Sequence, residues 1–245
     1  MGWLEDIVKV LPVEKVYDDL AAPAFKEIGE AARNTIKASR FILAPIDYLA
    51  AQHERWMNFL KRVNNKVPEA NLIPAHPQLS GQVLEGLKFL EENSLLAELF
   101  LNLLARSIDK ERSSEAHPAF ATIISQLSPD EALMIFHLSQ KERLIKQYAP
   151  YNQATDTFSP KQLLVNEFPI NSLIFPQNFF MYSDHLHSLN IGGIWQHGNQ
   201  ESIFSENIQV GVNITSYVRL TDFGQLFAKA CLPEGIEGFN VTTIV

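Results

Sequence analysis

The positions of proline limit this chain to short or kinked helices over most of its length. Proline lacks the amide hydrogen of a helical bond, and its ring bends or ends a helix just before it. Pro23 and Pro45 therefore divide the amino-terminal region into three predicted helices, near 13–22, 24–44 and 46–65. Residues 67–79 hold three prolines and are predicted to form an extended connector.

An apolar seam runs along these predicted helices between residues 42 and 63. Its members are separated alternately by four and three residues, the period at which one helix packs against another. Either the protein's own helices or a second copy of the chain would cover this seam, and both alternatives stay open at this point. The seam residues that we expect to form the interaction are Ile42, Ile46, Leu49, His53, Trp56 and Leu60.

Helical periodicity continues after the connector. It predicts helices over 81–93, 94–108 and 118–126, the second of which carries an apolar stripe typical of a core element. The run Ser128-Pro129-Asp130-Glu131 has the features of a strong helix start: a capping serine, a first-turn proline and an acidic third residue. The helix that begins there is predicted to extend to about residue 147.

The last third of the chain changes character. Its prolines allow only short helices, predicted over 160–167 and 176–189. β-branched and aromatic residues predict strands over 194–197 and 210–220, and a final helix is predicted over 223–232. The order helix, short helix, helix, strand, strand is that of a winged helix-turn-helix.

These elements together predict a mainly α fold. An N-terminal long-helix segment and a helical core would be followed by a winged-helix-like α+β unit with a small β-wing. The predicted domains are a kinked helical segment, a proline-rich connector with the helical core, and the winged-helix-like unit, over residues 1–66, 67–126 and 127–245.

Charge argues against the usual ligand of a winged helix, which is DNA. The chain has 20 basic and 28 acidic residues, and the helix predicted over 176–189, which would enter the major groove, contains no lysine or arginine. Because phosphate neutralisation supplies much of the affinity for DNA, we expect nucleic acid not to be a ligand. The same unit is compatible with contacts to a protein partner and with a purely structural role.

The residues offer one weak candidate for catalysis. The common enzyme motifs, including a glycine-rich phosphate loop and a Gly-x-Ser-x-Gly elbow, are absent from the sequence. A turn could gather four side chains into a hydrogen-bonded set: Arg106, Ser107, Asp109 and His117. The alternative interpretation is structural, with Asp109 ending one helix and His117 starting the next.

We expect neither a metal site nor a cofactor. His185 and His187 are two residues apart, so on a helix their side chains point about 200° apart and would not share a zinc ion with His197. The single cysteine, Cys231, lies among apolar residues at the end of a predicted helix and is expected to be buried in packing.

A membrane surface is a further partner to consider. The longest apolar runs are about six residues, whereas a spanning helix needs roughly 20. Residues 31–51 combine Arg33, Lys37 and Arg40 with apolar side chains, as in a helix that lies on an anionic membrane. Acidic neighbours and burial of the apolar face favour a protein that stays off the membrane.

Short blocks in a fixed order extend from residue 16 to residue 231. They read VYDDLAAPAFKEIG from Val16, LAPI from Leu43, VPEANLIP from Val67, FLNLLARSID from Phe100, AHPAF from Ala116, QLSPDEA from Gln126 and LTDFGQLFAKAC from Leu220. In their order and joint presence these blocks resemble the abortive infection alpha family.

The resemblance implies a bacterial or prophage-encoded protein of the cytoplasm that takes part in antiviral defence. It carries over no catalytic residue. The leading hypothesis is therefore a phage-defence protein that acts through contacts with a phage or host protein, with homo-oligomer formation left open. The alternatives are an unrecognised enzyme with the Ser/Asp/His cluster and a peripheral membrane effector.

Overall fold

A computed structural model describes residues 55–240, which divide into two compact units. The first unit contains the described residues up to Ser125 together with Pro233–Phe239, and the second contains Gln126–Leu232 and Asn240. The predicted three-domain division stays a prediction, since most of residues 1–66 lie outside the described range.

The first unit is helical. Its α-helices are α1 (55–64, the described part), α2 (Pro77–Leu87), α3 (Leu95–Ser107) and α4 (Ala119–Gln126). Short 3-10 turns at Glu69–Asn71 and Ser113–Glu115 lie between them. Of the extended connector predicted over 67–79, residues 72–76 are extended, whereas a 3-10 turn occupies Glu69–Asn71 and α2 begins at Pro77.

Helix α3 is the centre of this unit. Ser94 caps it, because its hydroxyl oxygen accepts a hydrogen bond from the Ala97 amide at 3.2 Å. Ten of its thirteen residues are buried. A helix that is apolar on almost all sides is stable only when surrounded by other elements, and α2 is one of those that pack against it.

Cations from α1 and from the turn after it satisfy polar groups that this packing buries. Glu98 of α3 is buried, and its carboxylate pairs with Arg62 and with Lys66, the latter at 2.6 Å. The Arg55 guanidinium donates to backbone carbonyls at the end of α2, including that of Leu87 at 2.8 Å. The Arg55 contacts stabilise the end of α2, where carbonyl groups lack helical partners.

The second unit combines helices with a sheet. Its helices are α5 (Pro129–Gln140), α6 (Phe179–Ser188) and α7 (Asp222–Cys231). Its strands are β1 (Arg143–Asn152), β2 (Thr157–Phe158), β3 (Gln162–Asn166), β4 (Gly192–Gln196), β5 (Glu201–Ser205) and β6 (Ile208–Leu220). Two 3-10 turns, Ile170–Ser172 and Pro176–Asn178, precede α6.

The sheet is antiparallel and has six strands. Strands β1 and β6 pair at its centre, with Ile145 opposite Ser216. The β2 and β3 strands pair with β1 on one side, and β4 and β5 pair with β6 on the other. A register shift in the β1–β3 ladder leaves Leu164 as a bulge between Leu163 and Val165.

The prediction of a mainly α fold with a small β-wing is wrong, because this sheet forms much of the second unit. The helix predicted to extend from residue 129 to 147 ends at Gln140, and β1 follows. Local propensity in residues 141–147 suits a helix. Pairing with β6 prevails because it buries Ile145 and Ala149 on one face of the sheet while Lys146 stays exposed.

A second predicted helix, over 160–167, is also a strand, β3. The helix start predicted at Ser128 is confirmed. Ser128 and Glu131 form a complete capping box, with Pro129 in the first turn.

Two glycines in helix α2 provide a test of its packing. A Cβ at position 81 would have no atom within 4 Å, whereas a Cβ at position 86 would lie 2.3 Å from Cζ of the buried Phe100 ring. We expect Gly81→Ala to stabilise the protein by about 0.5–1 kcal/mol, because alanine restricts the unfolded chain and favours helix.

We expect Gly86→Ala to destabilise it by about 1–3 kcal/mol, because the ring cannot move without disturbing the core. Urea unfolding followed by circular dichroism measures both effects. Equal effects of the two substitutions would contradict the packing of Phe100 against α2.

Candidate functional site

The residues of the predicted catalytic cluster have separate structural roles in the first unit. The Ser107 hydroxyl donates to the Leu104 carbonyl at 2.7 Å, one turn back in α3. Arg106 pairs with Glu115. Asp109 is buried, and its Oδ1 accepts a hydrogen bond from the Glu111 amide at 3.0 Å.

The fourth member, His117, is exposed just before α4. Its Nδ1 accepts a hydrogen bond from the Ala119 amide at 3.1 Å, and its ring lies 5.6 Å from that of Phe120. These contacts are typical of helix ends and a tight turn, and they support the structural interpretation of the cluster. The catalytic interpretation stays a prediction.

The predicted interaction seam is only partly described. Ile42, Ile46, Leu49 and His53 lie outside the described residues. Within α1, Leu60 is buried, and the half-buried Trp56 ring meets Phe59 edge-on at 6.0 Å. This part of the seam therefore belongs to the core of the first unit.

The second unit is organised around two buried carboxylates at the start of α5, Asp130 and Glu131. Asp130 accepts three hydrogen bonds: from the amides of Ile174 and Phe175 at 2.7 and 2.9 Å, and from the hydroxyl of Tyr182 at 3.0 Å. Burial, together with the Asp130 hydrogen bond, raises the pKa of Tyr182. The phenol therefore stays protonated and donates to the carboxylate.

Glu131 connects α5 to α6. Its Oε2 accepts from the amide and the hydroxyl of Ser128 at 2.7 and 2.8 Å, and its Oε1 accepts from Nδ1 of His185 at 2.5 Å. The sequence identified these acids as a helix start, but it gave no sign that both would be buried. Both carboxylates accept hydrogen bonds from other groups of the second unit, which indicates a structural role.

The three histidines considered for zinc do not converge. His185 contacts Glu131, the His187 ring lies 5.7 Å from Trp195, and the His197 ring lies 5.3 Å from Tyr217. Among residues 55–240, no group of three or more histidine, cysteine or acidic side chains could hold a metal ion. Cys231 is buried in α7.

Among residues 55–240, no helix has the length and apolar character needed to cross a membrane.

Edge strand β3 is the most unusual surface of the second unit. Three consecutive apolar side chains on it are exposed: Leu163 by 45%, Leu164 by 55% and Val165 by 39%. Phe158, on the adjoining β2, is also exposed. This surface is not predicted from the sequence, because Pro160 there indicates the start of a helix. The apolar run between Pro160 and Pro169 is the signal that could have identified a strand.

Comparison with known proteins gives the family. The described units combine helices with an antiparallel sheet that has an exposed apolar edge, and a model of the abortive infection alpha family matches residues 51–231. The chain belongs to this family, which confirms the resemblance predicted from the sequence blocks. The blocks at Val16 and Leu43 lie before the matched range.

The family suggests a role in abortive infection, a form of defence against phage. No curated protein and no solved structure shows significant similarity to this chain.

His137 of α5 makes the stability of the second unit depend on pH. Its Nε2 lies 3.1 Å from the Ser172 hydroxyl, and its ring meets Phe168 edge-on at 5.6 Å. Burial, and then the positive charge of Arg143, lowers the pKa of His137 from its usual 6.5. The unfolded chain therefore takes up a proton at a higher pH than the folded chain does, so stability falls as pH drops below 6.5.

We expect His137→Gln to reduce this loss of stability, because glutamine does not titrate. Urea unfolding between about pH 7.5 and about pH 5.5 measures the slope. Ser172→Ala is the control, since it removes the hydrogen bond and keeps the imidazole. A slope equal to that of the wild type in His137→Gln would contradict the assignment.

Proposed function

We propose that the chain acts in phage defence by binding another protein at the edge strand β3, and that this contact rather than catalysis is its molecular activity. The family supports the defence role. The observation that carries the proposal is an apolar and uncharged edge strand on the second unit.

The backbone of β3 offers a template for a further strand. Among the described residues, β3 pairs with β1 alone, so its other side has amide and carbonyl groups available for a second neighbour. Natural proteins usually protect such edges with charged side chains, because an unprotected edge pairs with other chains. No charged residue occurs between Gln162 and Asn166.

The side chains of β3 indicate what kind of partner would fit. Leu163, Leu164 and Val165 are exposed beside the open backbone edge. An extended segment of a phage or host protein could add a strand to the sheet and cover these side chains with its own apolar residues. In this mode, backbone hydrogen bonds supply affinity and the side chains supply selectivity.

The contacts of the Arg106, Ser107, Asp109 and His117 cluster support the non-catalytic side of the proposal. Ser107 donates to a carbonyl of its own helix, and Arg106 is paired with Glu115. A catalytic serine would instead need an adjacent base to take its proton.

Replacement of Leu164 by lysine tests the proposal. The side chain is largely exposed, so we expect Leu164→Lys to change stability by less than about 0.5 kcal/mol. The new charge should nevertheless prevent strand addition and abolish protection of host cells against a phage that the wild type restricts. Plaque counts on cells that produce each variant measure protection, and thermal unfolding verifies the fold.

Phe204→Lys is the matched control, because Phe204 is an exposed apolar residue on β5, at the other edge of the sheet. We expect this variant to protect host cells as the wild type does. Ser107→Ala and His117→Asn, which alter the predicted catalytic cluster, should also protect as the wild type does. Loss of protection in the last two variants, with Leu164→Lys still protective, would favour an enzyme and reject the edge proposal.

Light scattering distinguishes a partner protein from a second copy of the chain. A dimer of the wild type that Leu164→Lys dissociates would show that β3 pairs with itself, and would overturn its assignment to a phage or host protein.

A further inference from the structure

A surface depression of about 300 Å³ lies on the second unit, and no residue of β3 lines it. Its lining comes from the segment before β1, from the end of β4 and from β6: Glu142, Trp195, Gln196, His197, Tyr217 and Arg219. This volume is at the lower end of the range for small-molecule sites.

The strand register brings the aromatic side chains of the depression together. Trp195 of β4 lies directly opposite Tyr217 of β6, so both project from the same face of the sheet. Arg219 is two residues further along β6 and therefore on that face as well, with its guanidinium 5.4 Å from the Trp195 ring centre. The His197 ring stands edge-on to Tyr217 at 5.3 Å.

Several polar side chains in the depression contact neighbouring rings at most and form no hydrogen bond or ion pair with the described residues. Over residues 55–240, Glu142, His197 and Arg219 form no side-chain hydrogen bond and no ion pair within 4.0 Å. Arg219 supplies several N–H donors in one plane, and Glu142 supplies acceptors. A cationic hydrogen-bond donor, an anionic hydrogen-bond acceptor and two aromatic rings are thus available to one ligand.

We propose that this depression binds a free mononucleotide. The flat faces of Trp195 and Tyr217 are of the kind on which nucleobases stack. The Glu142 carboxylate can accept a hydrogen bond from an exocyclic amine or a ring N–H of the base. The Arg219 guanidinium matches a phosphate, which it can bind through two parallel hydrogen bonds.

The charges distinguish this ligand from others that favour aromatic sites. A quaternary or methylated ammonium ion would be repelled by Arg219, which occupies the cation position beside Trp195. Duplex DNA needs many phosphate contacts, whereas the depression offers one arginine. A ligand with one base and one phosphate group would contact both the aromatic rings and the arginine. A single phosphate needs one cation and no extended basic surface.

Calorimetric titration of the full chain with AMP, GMP, CMP and UMP tests the proposal. We expect at least one of them to bind with a Kd below about 1 mM. The corresponding nucleoside and ribose 5-phosphate should each bind at least about tenfold more weakly, because each lacks one of the two groups recognised. The absence of measurable binding by all four nucleotides at about 5 mM would overturn the proposal.

Variants of the lining residues assign the binding to the depression. We expect Arg219→Ala to weaken nucleotide binding by about tenfold or more and to leave binding of the nucleoside unchanged. Tyr217→Leu should weaken both ligands. Lys161→Ala is the control for loss of one exposed positive charge elsewhere in the unit, and it should bind as the wild type does.

Two further outcomes would reject the proposal. Nucleotide binding that Arg219→Ala leaves unchanged would place the site elsewhere on the chain. Binding of a single-stranded oligonucleotide without binding of any mononucleotide would assign the depression to a nucleic acid. Thermal unfolding of Arg219→Ala and Tyr217→Leu confirms that each variant is folded before its binding is compared.

Discussion

The pairing of β1 with β6 is the constraint on which the second unit depends. Eight consecutive residues, from Arg143 to Pro150, lie opposite Val218 to Gly211. Every other strand of the sheet pairs with one of these two. The pairing therefore sets both the position of the β3 edge and the face that presents Tyr217 and Arg219. Because the two strands are about 60 residues apart in sequence, the ladder forms only after a long loop closes.

Buried charge connects the helices of this unit. Asp130 and Glu131 lie in the first turn of α5, where the helix dipole favours negative charge, and hydrogen bonds from backbone amides, Tyr182 and His185 compensate their burial. Such an arrangement is costly if one partner is removed, because it leaves a carboxylate buried without its donors. A pair of acids of this kind can be mistaken for catalytic residues in a sequence, whereas the contacts define a helix anchor.

The sequence predicted helix ends and the family better than the sheet. Ser94 and Ser128 act locally, so their caps can be recognised from a few residues. Strand β1 forms by pairing with β6, which is distant in sequence, and β3 forms only by joining the edge of the sheet beside β1. Residues 141–147 therefore resemble the continuation of α5. The aromatic and arginine side chains of the depression could not be grouped from the sequence either, since only the β4–β6 register places Trp195 beside Tyr217.

The exposed edge at β3 also favours contacts between copies of the chain at high protein concentration. Strand addition between two molecules follows mass action, so the fraction of edges occupied by unintended neighbours rises with the concentration of free chains. The bulge at Leu164 makes regular pairing less favourable but leaves the leucine and valine side chains exposed. A chain with such an edge is best suited to low abundance.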